Sequence, residues 1–268
     1  MPIIILTNFG ESSMISLERP DAYKTFLPHL LKSSRFPQRK MTVGEFVGTL
    51  AEKTYLTEET LFFSFSVPDT VAFQAGQYVM ITMTRDGLKR VKPYSILNPP
   101  SAKGKIDLCV ALVLGGFASE IFRALTVGES FTFRGPLGHF LFQEAEQEHW
   151  FICVGTGLTP LHSMIQEFVP QYPQKKFVLV FGDKTRPDLL FYDELTEWQK
   201  KHTNFTYLPV LSREKWKGKT GYVQQHLPAN IQRKIFYICG LKEMVLETQK
   251  LLLEKGVDPQ KIRMERYT

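Results

Sequence analysis

Short apolar strands alternate with amphipathic helices in the second half of the chain, and this alternation constrains the fold more than any other feature of the sequence. Apolar runs that predict strands lie at residues 150–154, 177–181, 205–211 and 235–239, and helical patterns lie at 160–169, 188–201 and 242–255. Strands that alternate with helices in this way are typical of a parallel, doubly wound sheet. In such a sheet, ligands bind at the carboxyl ends of the strands.

The first half of the chain has a different texture from about Met41 onward. Apolar residues alternate at positions 61, 63, 65 and 67, and glycines separate several short β-rich runs. Many short strands at such spacing favour an antiparallel β-barrel or sandwich. The predicted domains are an N-terminal extension of unknown role at 1–40, with a short amphipathic helix at 21–34, a β-barrel domain at 41–145 and an α/β domain at 146–268. A charged break at 144–148 is interpreted as the linker between the last two.

The composition restricts the class of protein. Only three cysteines occur, Cys109, Cys153 and Cys239. They are too few for an iron–sulfur cluster with four thiolate ligands, and they are typical of a reducing compartment, so we expect a cytoplasmic protein. No apolar run of about 20 residues predicts a membrane span. The net charge of +6 suits an acidic protein, a nucleic acid, a membrane surface or merely a soluble basic surface.

The sharpest local motif directly follows the strand at 150–154. Gly155-Thr156-Gly157 is followed by Leu158, Thr159 and Pro160. Glycines allow a tight turn and a close approach of a ligand, and Pro160 suits the first turn of a helix, whose N-terminus attracts a pyrophosphate. An ordinary strand-to-helix turn is about as good an interpretation of this motif alone.

Two further motifs lie in the barrel half. Lys92-Pro93-Tyr94-Ser95 places a cation, an aromatic face and a hydroxyl within four residues, although for this segment alone an exposed basic strand edge is the favoured interpretation. The second motif runs from Gly115 through Gly116, Phe117 and Ala118 to Ser119, which we predict to be the N-cap of a helix that begins at Glu120. A plain capped helix is the simpler interpretation of this segment.

Taken together, the three motifs resemble the ferredoxin–NADP reductase family in order and spacing. The likeness extends to Gly135-Pro136-Leu137-Gly138-His139-Phe140, to the Cys-Gly…Met segment at 239–244 and to the Glu-x-aromatic pattern at 265–267. It covers the chain from about Met41 to its end. The resemblance implies an antiparallel β-barrel that binds FAD, followed by a Rossmann-like parallel α/β domain that binds a nicotinamide dinucleotide.

The resemblance also implies roles for individual residues. Lys92, Pro93, Tyr94 and Ser95 would hold FAD, with Tyr94 against the isoalloxazine ring and Ser95 near its hydride-accepting nitrogen. Gly116, Ala118 and Ser119 would bind the FAD pyrophosphate. Gly155, Thr156, Gly157, Thr159 and Pro160 would bind the dinucleotide. Ser95, Cys239 and Glu265 would be catalytic, and Tyr267 would lie near the far face of the flavin. The family has Arg where this chain has Lys92, and Arg90 could compensate.

A third group of residues concerns the choice of nicotinamide cofactor. Ser212, Arg213, Lys219, Tyr222 and Gln224 resemble the set that holds the 2′-phosphate and the adenine in NADPH-using members. A hydroxyl and a guanidinium at one strand end suit a dianionic phosphate. The segment 216–223 also matches a Trp-x-Gly-x-x-Gly-x-Val pattern of NADH-using oxygenase reductases. We predict FAD and NADP(H) as cofactors, with NADP(H) favoured over NAD(H).

The predicted function is hydride exchange with NADP(H) and single-electron exchange with an acidic carrier protein, a ferredoxin or flavodoxin. The alternatives are an NADH-dependent reductase component of an oxygenase or cytochrome system, and a non-catalytic FAD-containing electron-transfer subunit. The histidines lie at unrelated spacings, so no metal site is expected, and the motifs predict neither nucleic-acid binding nor a membrane span.

Overall fold

The computed structural model describes residues 43–267 of the chain, and the amphipathic segment predicted at 21–34 lies outside these residues. Two six-stranded sheets make up the described part. The first is antiparallel throughout and the second is parallel throughout. None of the helices in the described range combines the length and the apolar character needed to cross a membrane.

The antiparallel sheet forms the barrel half of the molecule. Its strands are β1 (Gly44–Thr57), β2 (Thr60–Ser66), β3 (Tyr78–Arg85), β4 (Leu88–Ser95), β5 (Lys105–Ala111) and β6 (Ser130–Leu137), and helix α1 (Phe117–Ala124) lies between the last two. The strand order is β4-β3-β6-β1-β2-β5. The predicted alternation is confirmed, because Leu61, Phe63 and Phe65 are completely buried on the inner face.

The parallel sheet forms the α/β half. Its strands are β7 (Glu148–Val154), β8 (Lys176–Asp183), β9 (Phe205–Leu211), β10 (Lys219–Thr220), β11 (Lys234–Leu241) and β12 (Ile262–Tyr267), and its helices are α2 (Leu158–Phe168), α3 (Tyr192–Lys201) and α4 (Lys242–Glu254). The strand order is β10-β9-β8-β7-β11-β12. The predicted fold class, an antiparallel barrel followed by a Rossmann-like α/β half, is confirmed.

Three predicted boundaries are wrong for local reasons. Helix α2 begins at Leu158 and not at 160, because Gly155–Gly157 forms a 3₁₀ turn that runs directly into it. Helix α3 begins at Tyr192 and not at 188, because Phe191 has a left-handed backbone with a φ of 53°. The charged break ends before Glu148, which belongs to β7 and forms a 2.8 Å ion pair with the buried Lys234.

The two halves share one hydrophobic core. Leu97 and Phe140 from the barrel pack in the same buried cluster as Phe151 and Tyr237 from the parallel sheet. The connection at 144–147 is also held, because the Nζ atom of the buried Lys175 donates hydrogen bonds to the carbonyl oxygens at positions 144 and 146. The end of β4 is therefore positioned firmly against the carboxyl ends of the parallel strands.

Candidate functional site

Side chains from both halves meet in one hydrogen-bonded cluster. The Ser95 hydroxyl donates to Oε1 of Glu265 at 3.1 Å, and its Oγ lies 2.8 Å from the hydroxyl of Tyr267. The Tyr267 hydroxyl also forms a hydrogen bond with the thiol of Cys239. The structure thus brings together the three residues predicted to be catalytic, Ser95, Cys239 and Glu265, and joins Tyr267 to them.

The strand register explains why these residues converge. Cys239 is the direct neighbour of Glu265 in the parallel pair of β11 and β12, and Tyr267 follows two residues later on the same face. Ser95 is the last residue of β4 and reaches this face from the barrel. The cluster therefore lies where a barrel strand ends against the carboxyl edge of the parallel sheet, the position at which such sheets bind ligands.

Burial dominates the electrostatics of the cluster. It raises the pKa of Glu265 to about 7, although the hydrogen bond from Ser95 opposes this effect. It also raises the pKa of the Cys239 thiol well above its usual value, and the Glu265 charge adds to this rise. Burial and the same carboxylate raise the pKa of Tyr78, a residue that the sequence motifs did not indicate. The register of β3 and β4 places it opposite Ser95. Glu265 can therefore change protonation state near neutral pH.

The two glycines of the turn after β7 have different roles. A Cβ atom on Gly157 would lie 2.3 Å from the carbonyl oxygen of Cys239, so this glycine allows the turn to pack against β11. Gly155 has a left-handed φ of 52° and would meet nothing within 4 Å. The backbone at Gly155 therefore faces open space, and a ligand can approach it closely.

The other residues of this turn hold its shape. The hydroxyl of Thr159 donates to the carbonyl oxygen of Thr156 at 2.7 Å, and the side chains of Thr159 and Pro160 are buried. Thr156 itself is half-buried. Among the predicted dinucleotide-binding residues of this motif, the backbone at Gly155 and the partly exposed Thr156 are accessible to a ligand.

The predicted N-cap in the barrel half is wrong. Helix α1 begins at Phe117, and its N-cap is Gly116 rather than Ser119. Ser119 is buried inside the first turn, where its Oγ accepts a 2.8 Å hydrogen bond from the amide of Val113 and so fixes the preceding loop. The first amides of the helix, at Phe117 and Ala118, have no carbonyl partner within the helix and form an anion-binding end.

Cations of β4 lie beside this end of α1. The guanidinium of Arg90 is 4.7 Å from the ring centre of Phe117, the first residue of the helix, and Lys92 is half-buried two residues later on the same face of the strand. Tyr94, next on that face, packs edge-on against Phe122 of α1 at 5.2 Å. Two cations, free helix amides and an aromatic ring therefore form one strip along a face of β4, while the half-buried Pro93 and the buried Ser95 belong to the other face.

A second basic edge lies at the carboxyl ends of β9 and β10. Ser212 and Arg213 directly follow β9, and Lys219 in β10 pairs with Val210. These three residues are exposed, and Tyr222 is 66% exposed. Lysines at positions 215 and 217 add to the positive charge of this edge. Four of the five residues predicted to hold the adenosine end of the dinucleotide are thus accessible at one sheet edge.

The fifth residue, Gln224, and the Trp-x-Gly-x-x-Gly-x-Val pattern at 216–223 make local contacts within the α/β half. Gln224 donates a 2.8 Å hydrogen bond to Glu247 of α4, and its Oε1 is buried without a partner in the described part of the chain. In the segment 216–223, a Cβ on Gly218 would lie 2.5 Å from the ring of Trp216, whose Nε1 donates to the carbonyl oxygen of Lys219 at 2.6 Å. The glycine and tryptophan of this pattern therefore have a packing explanation.

Histidines do not form a metal centre within residues 43–267, where no group of His, Cys, Asp and Glu side chains is arranged to hold an ion. His149 is completely buried, and burial lowers its pKa to about 3. It stacks 4.5 Å from the ring of Phe142. His162 is buried against Glu194. Both histidines are therefore part of the protein core.

Comparison with known families assigns the two halves. Residues 47–142 match the model of the oxidoreductase FAD-binding domain, and residues 151–250 match that of the oxidoreductase NAD-binding domain. Ferredoxin–NADP reductase B of Sorangium cellulosum (strain So ce56) is 31% identical over 209 residues, which cover 73% of this chain and 85% of that protein. The chain belongs to the ferredoxin–NADP reductase family.

Other similarities show the breadth of this family. The reductase component of phenol 2-monooxygenase from Pseudomonas sp. (strain CF600) is 30% identical over 205 residues, and the chain spans only 58% of that protein's length. A ferredoxin NADP+ reductase from Neisseria gonorrhoeae, solved with bound FAD and NADP, has the same fold, with a TM-score of 0.75, 21% identity and coverage of 83% of this chain and 98% of that one. The two matched domains and the family assignment make the protein a flavoprotein NAD(P)H oxidoreductase.

The residues present fit FAD. Its pyrophosphate needs cations and free amides, which Arg90, Lys92 and the start of α1 supply side by side. Its ring needs an aromatic contact and polar partners, which Tyr94 and Ser95 supply at the end of the same strand. Lys92 offers a point charge in place of a planar guanidinium, and Arg90 provides that guanidinium two residues earlier.

Proposed function

We propose that this protein exchanges a hydride with NADP(H) and single electrons with an acidic carrier protein, a ferredoxin or flavodoxin. The observation that carries the proposal is the cluster of Ser95, Cys239, Glu265 and Tyr267, in which barrel and sheet side chains meet at hydrogen-bonding distance. When bound, FAD supplies the chemistry that links two-electron and one-electron transfer. The chain itself binds, orients and handles protons.

Each part of the chain has a defined task in this proposal. Arg90, Lys92 and the amides of α1 hold the FAD pyrophosphate, and Tyr94 packs against its ring. Gly155 and Thr156 accept the dinucleotide at the start of α2. The Ser95 hydroxyl connects the ring to Glu265, whose raised pKa allows the carboxyl to give or take a proton near neutral pH. Cys239 and Tyr267 shape the space beside the reacting rings.

The preference for NADP(H) rests on the basic edge after β9 and β10. Arg213 and Lys219 are both exposed there, beside the Ser212 hydroxyl, and such a group favours a dianionic 2′-phosphate over a ribose hydroxyl. The pattern at 216–223, which favours NADH by resemblance, is explained by the packing of Gly218 on Trp216. The edge therefore supports NADP(H) more strongly than the pattern supports NAD(H).

The acidic carrier is proposed from the surface of the β3–β4 hairpin. Val91 is 48% exposed, and the exposed Lys89 lies two residues away on the same face of β4, opposite to the face of Arg90 and Lys92. An exposed apolar residue beside a cation suits a partner of opposite charge, which the cation would attract at long range. The same strand ends at Ser95, so a partner docked here would lie near the proposed FAD ring. The three cysteines are buried free thiols, which supports a reducing, cytoplasmic compartment.

The second candidate is an NADH-dependent reductase component of an oxygenase system. It is favoured by the likeness to the phenol 2-monooxygenase component, of which this chain spans 58%. The two candidates differ in cofactor preference and in the partner that accepts the electrons.

The test begins with the visible spectrum of the purified protein, which should show a bound flavin that bleaches when NADPH is added without oxygen. Steady-state reduction of ferricyanide then compares NADPH with NADH, in the native protein and in Arg213→Ala. We expect a larger kcat/KM with NADPH and a loss of about tenfold on the substitution with NADPH alone. A larger kcat/KM with NADH, unchanged by Arg213→Ala, would contradict the NADP(H) preference. A colourless protein that FAD cannot reconstitute would overturn the whole proposal.

A further inference from the structure

An acidic residue lies between the two proposed phosphate sites of the dinucleotide. Asp183 is the last residue of β8, and the register pairs it with Leu211 of β9, while the preceding Gly182 pairs with Val154 of β7. Asp183 is therefore flanked by the Gly155 turn on one side and by Ser212 on the other. Its carbonyl oxygen accepts hydrogen bonds from the amide and the hydroxyl of Ser212, at 2.9 and 3.3 Å.

The carboxylate of Asp183 lies among backbone amides that an anionic ligand would need as hydrogen-bond donors. The amide of Lys184 donates to it at 2.8 Å, and the amide of Gly155 lies close enough to lower its pKa. Gly155 is the position in the turn that faces open space, so a pyrophosphate that approaches its amide would also approach the Asp183 carboxylate. The protein without nucleotide thus carries its own anion at the entrance to α2.

The surroundings of this carboxylate disfavour its charge. Burial raises the pKa of Asp183, the nearby Asp188 adds to this rise, and the amides of Lys184 and Gly155 and the ammonium of Lys184 oppose it, so that the resulting pKa is about 6. The Cys153 thiol of β7 also faces it, with a pKa raised by burial and by the Asp183 charge. From β9 it meets the uncharged Ser212. A second negative group beside this carboxylate would favour its protonated form.

We propose that Asp183 competes with the dinucleotide pyrophosphate for the Gly155 amide, so that dinucleotide binding is coupled to uptake of a proton from solvent by the Asp183 carboxyl. The proton neutralises the carboxylate as it gives up the amide, and no other bond is made or broken. This inference rests on the proposed function, since it requires the dinucleotide to bind at the Gly155 turn. Asp183 is a positioning residue in this scheme and takes no part in hydride transfer.

The coupling has a definite sign. Protonation removes the charge that repels the pyrophosphate, so affinity rises as the pH falls from about 8 to 6, by at most about tenfold per pH unit for one linked proton. The effect appears in the dissociation constant and in KM, whereas kcat is unaffected by Asp183. A purely structural role for Asp183 would change stability but would not change the number of protons taken up on binding.

The experiment is calorimetric titration of the FAD-loaded protein with NADP⁺ near pH 7, in two buffers with very different ionisation enthalpies. The number of protons taken up is compared between the native protein and Asp183→Asn, so that protons titrating on NADP⁺ itself cancel. We expect a greater uptake in the native protein and a flatter pH dependence of the dissociation constant in Asp183→Asn. Asp183→Glu, which keeps the carboxyl, should keep the uptake.

Asp188→Asn is the matched control. It removes a neighbouring carboxylate that accepts hydrogen bonds from the amide and the hydroxyl of Thr185, at 3.0 and 2.7 Å, and does not contact Gly155 in this way. It should still take up a proton when NADP⁺ binds, although loss of the Asp188 charge lowers the pKa of Asp183 and moves this uptake to lower pH. Equal uptake in the native protein and Asp183→Asn, with NADP⁺ bound to both, would overturn this inference alone. Absence of NADP⁺ binding to the native protein would overturn the proposed function with it.

Discussion

The barrel and the parallel sheet contribute to the site in opposite ways. The barrel presents accessible groups, the cations of Arg90 and Lys92 and the free amides of α1, because β4 is an edge strand. The parallel sheet presents more enclosed groups, because Cys239 is completely buried in β11 inside the sheet and Glu265 of β12 is half-buried beside it. Accessible cations suit the binding of phosphates, whereas buried acids and thiols have shifted pKa values.

This difference assigns ligand binding to the barrel residues and proton transfer to the residues of the parallel sheet. Substitutions on the barrel strip should weaken binding, whereas substitutions in the sheet should change packing and proton transfer. Ser95 is the exception, because it belongs to the barrel but donates to Glu265. The predictions below test this division, from the largest expected effect to the smallest.

Gly157→Ala should cause the largest loss, in stability. The new Cβ would lie 2.3 Å from the carbonyl oxygen of Cys239, so the turn and β11 must separate. We expect a fall of about 3 kcal/mol in the free energy of unfolding, measured by urea titration. Gly155→Ala is the control, because that position is open and only its left-handed φ of 52° is unfavourable, at about 1–2 kcal/mol. If Gly155→Ala is the less stable variant, the turn does not pack as described.

Ser95→Ala should lower turnover most strongly among substitutions that preserve the fold. It removes the hydroxyl that lies between Glu265 and Tyr267, and we expect kcat for NADPH-dependent ferricyanide reduction to fall about 100-fold. KM should change little. Ser130→Ala is the control, since this exposed barrel serine pairs with Thr49 far from the cluster. An unchanged kcat in Ser95→Ala would show that the Ser95 hydroxyl, the contribution of the barrel to the cluster, takes no part in proton transfer.

Arg90→Ala and Lys92→Ala should each weaken FAD binding by about tenfold, because each removes a cation from the start of α1. The measurement is the dissociation constant of FAD from the reconstituted protein, by fluorescence. Lys89→Ala removes an exposed cation from the opposite face of the same strand and should have little effect. Equal losses in all three variants would indicate a general charge effect and not a pyrophosphate site.

Glu265→Gln should change the pH dependence of stability. Because burial raises the folded-state pKa of Glu265 to about 7, above its unfolded value, the carboxyl destabilises the fold progressively as the pH rises from about 4.3 to 7. The glutamine variant should therefore have a Tm several degrees higher than the native protein at pH 8 and nearly the same Tm at pH 5. Its kcat should also lose the inflection near pH 7. A Tm difference that is the same at both pH values would contradict the raised pKa.

Much of the fold followed from local patterns. The alternating residues at 61, 63 and 65 predicted the inner face of the barrel, and the strand at 205–211 has the predicted bounds. The predicted helix starts were wrong where the local backbone conformation or a local hydrogen bond differed from what the residue pattern indicates. Phe191 adopts a left-handed backbone that delays α3, and Ser119, a favourable N-cap by composition, is instead buried against the Val113 amide. Neither feature has a distinct signature in one sequence.

Local motifs also predicted the site residues, but they did not indicate which side chains would be accessible to a ligand. Thr159 and Pro160 have the residue types of a phosphate turn, yet their side chains are buried. Asp183 carries no motif, yet the parallel register places it between two proposed phosphate sites. Register and burial depend on neighbours that are distant in the chain, so residue type alone does not reveal them.

The sequence by itself determined the strand periods, the glycine turns, the charge of β4 and the family likeness, because each depends on residues close together in the chain. The tertiary structure alone decided that Ser95 meets Glu265 and Tyr267, across separations of 170 and 172 residues. It also decided that burial would raise the pKa of Glu265, since the loss of solvent around a carboxyl depends on how the two halves pack.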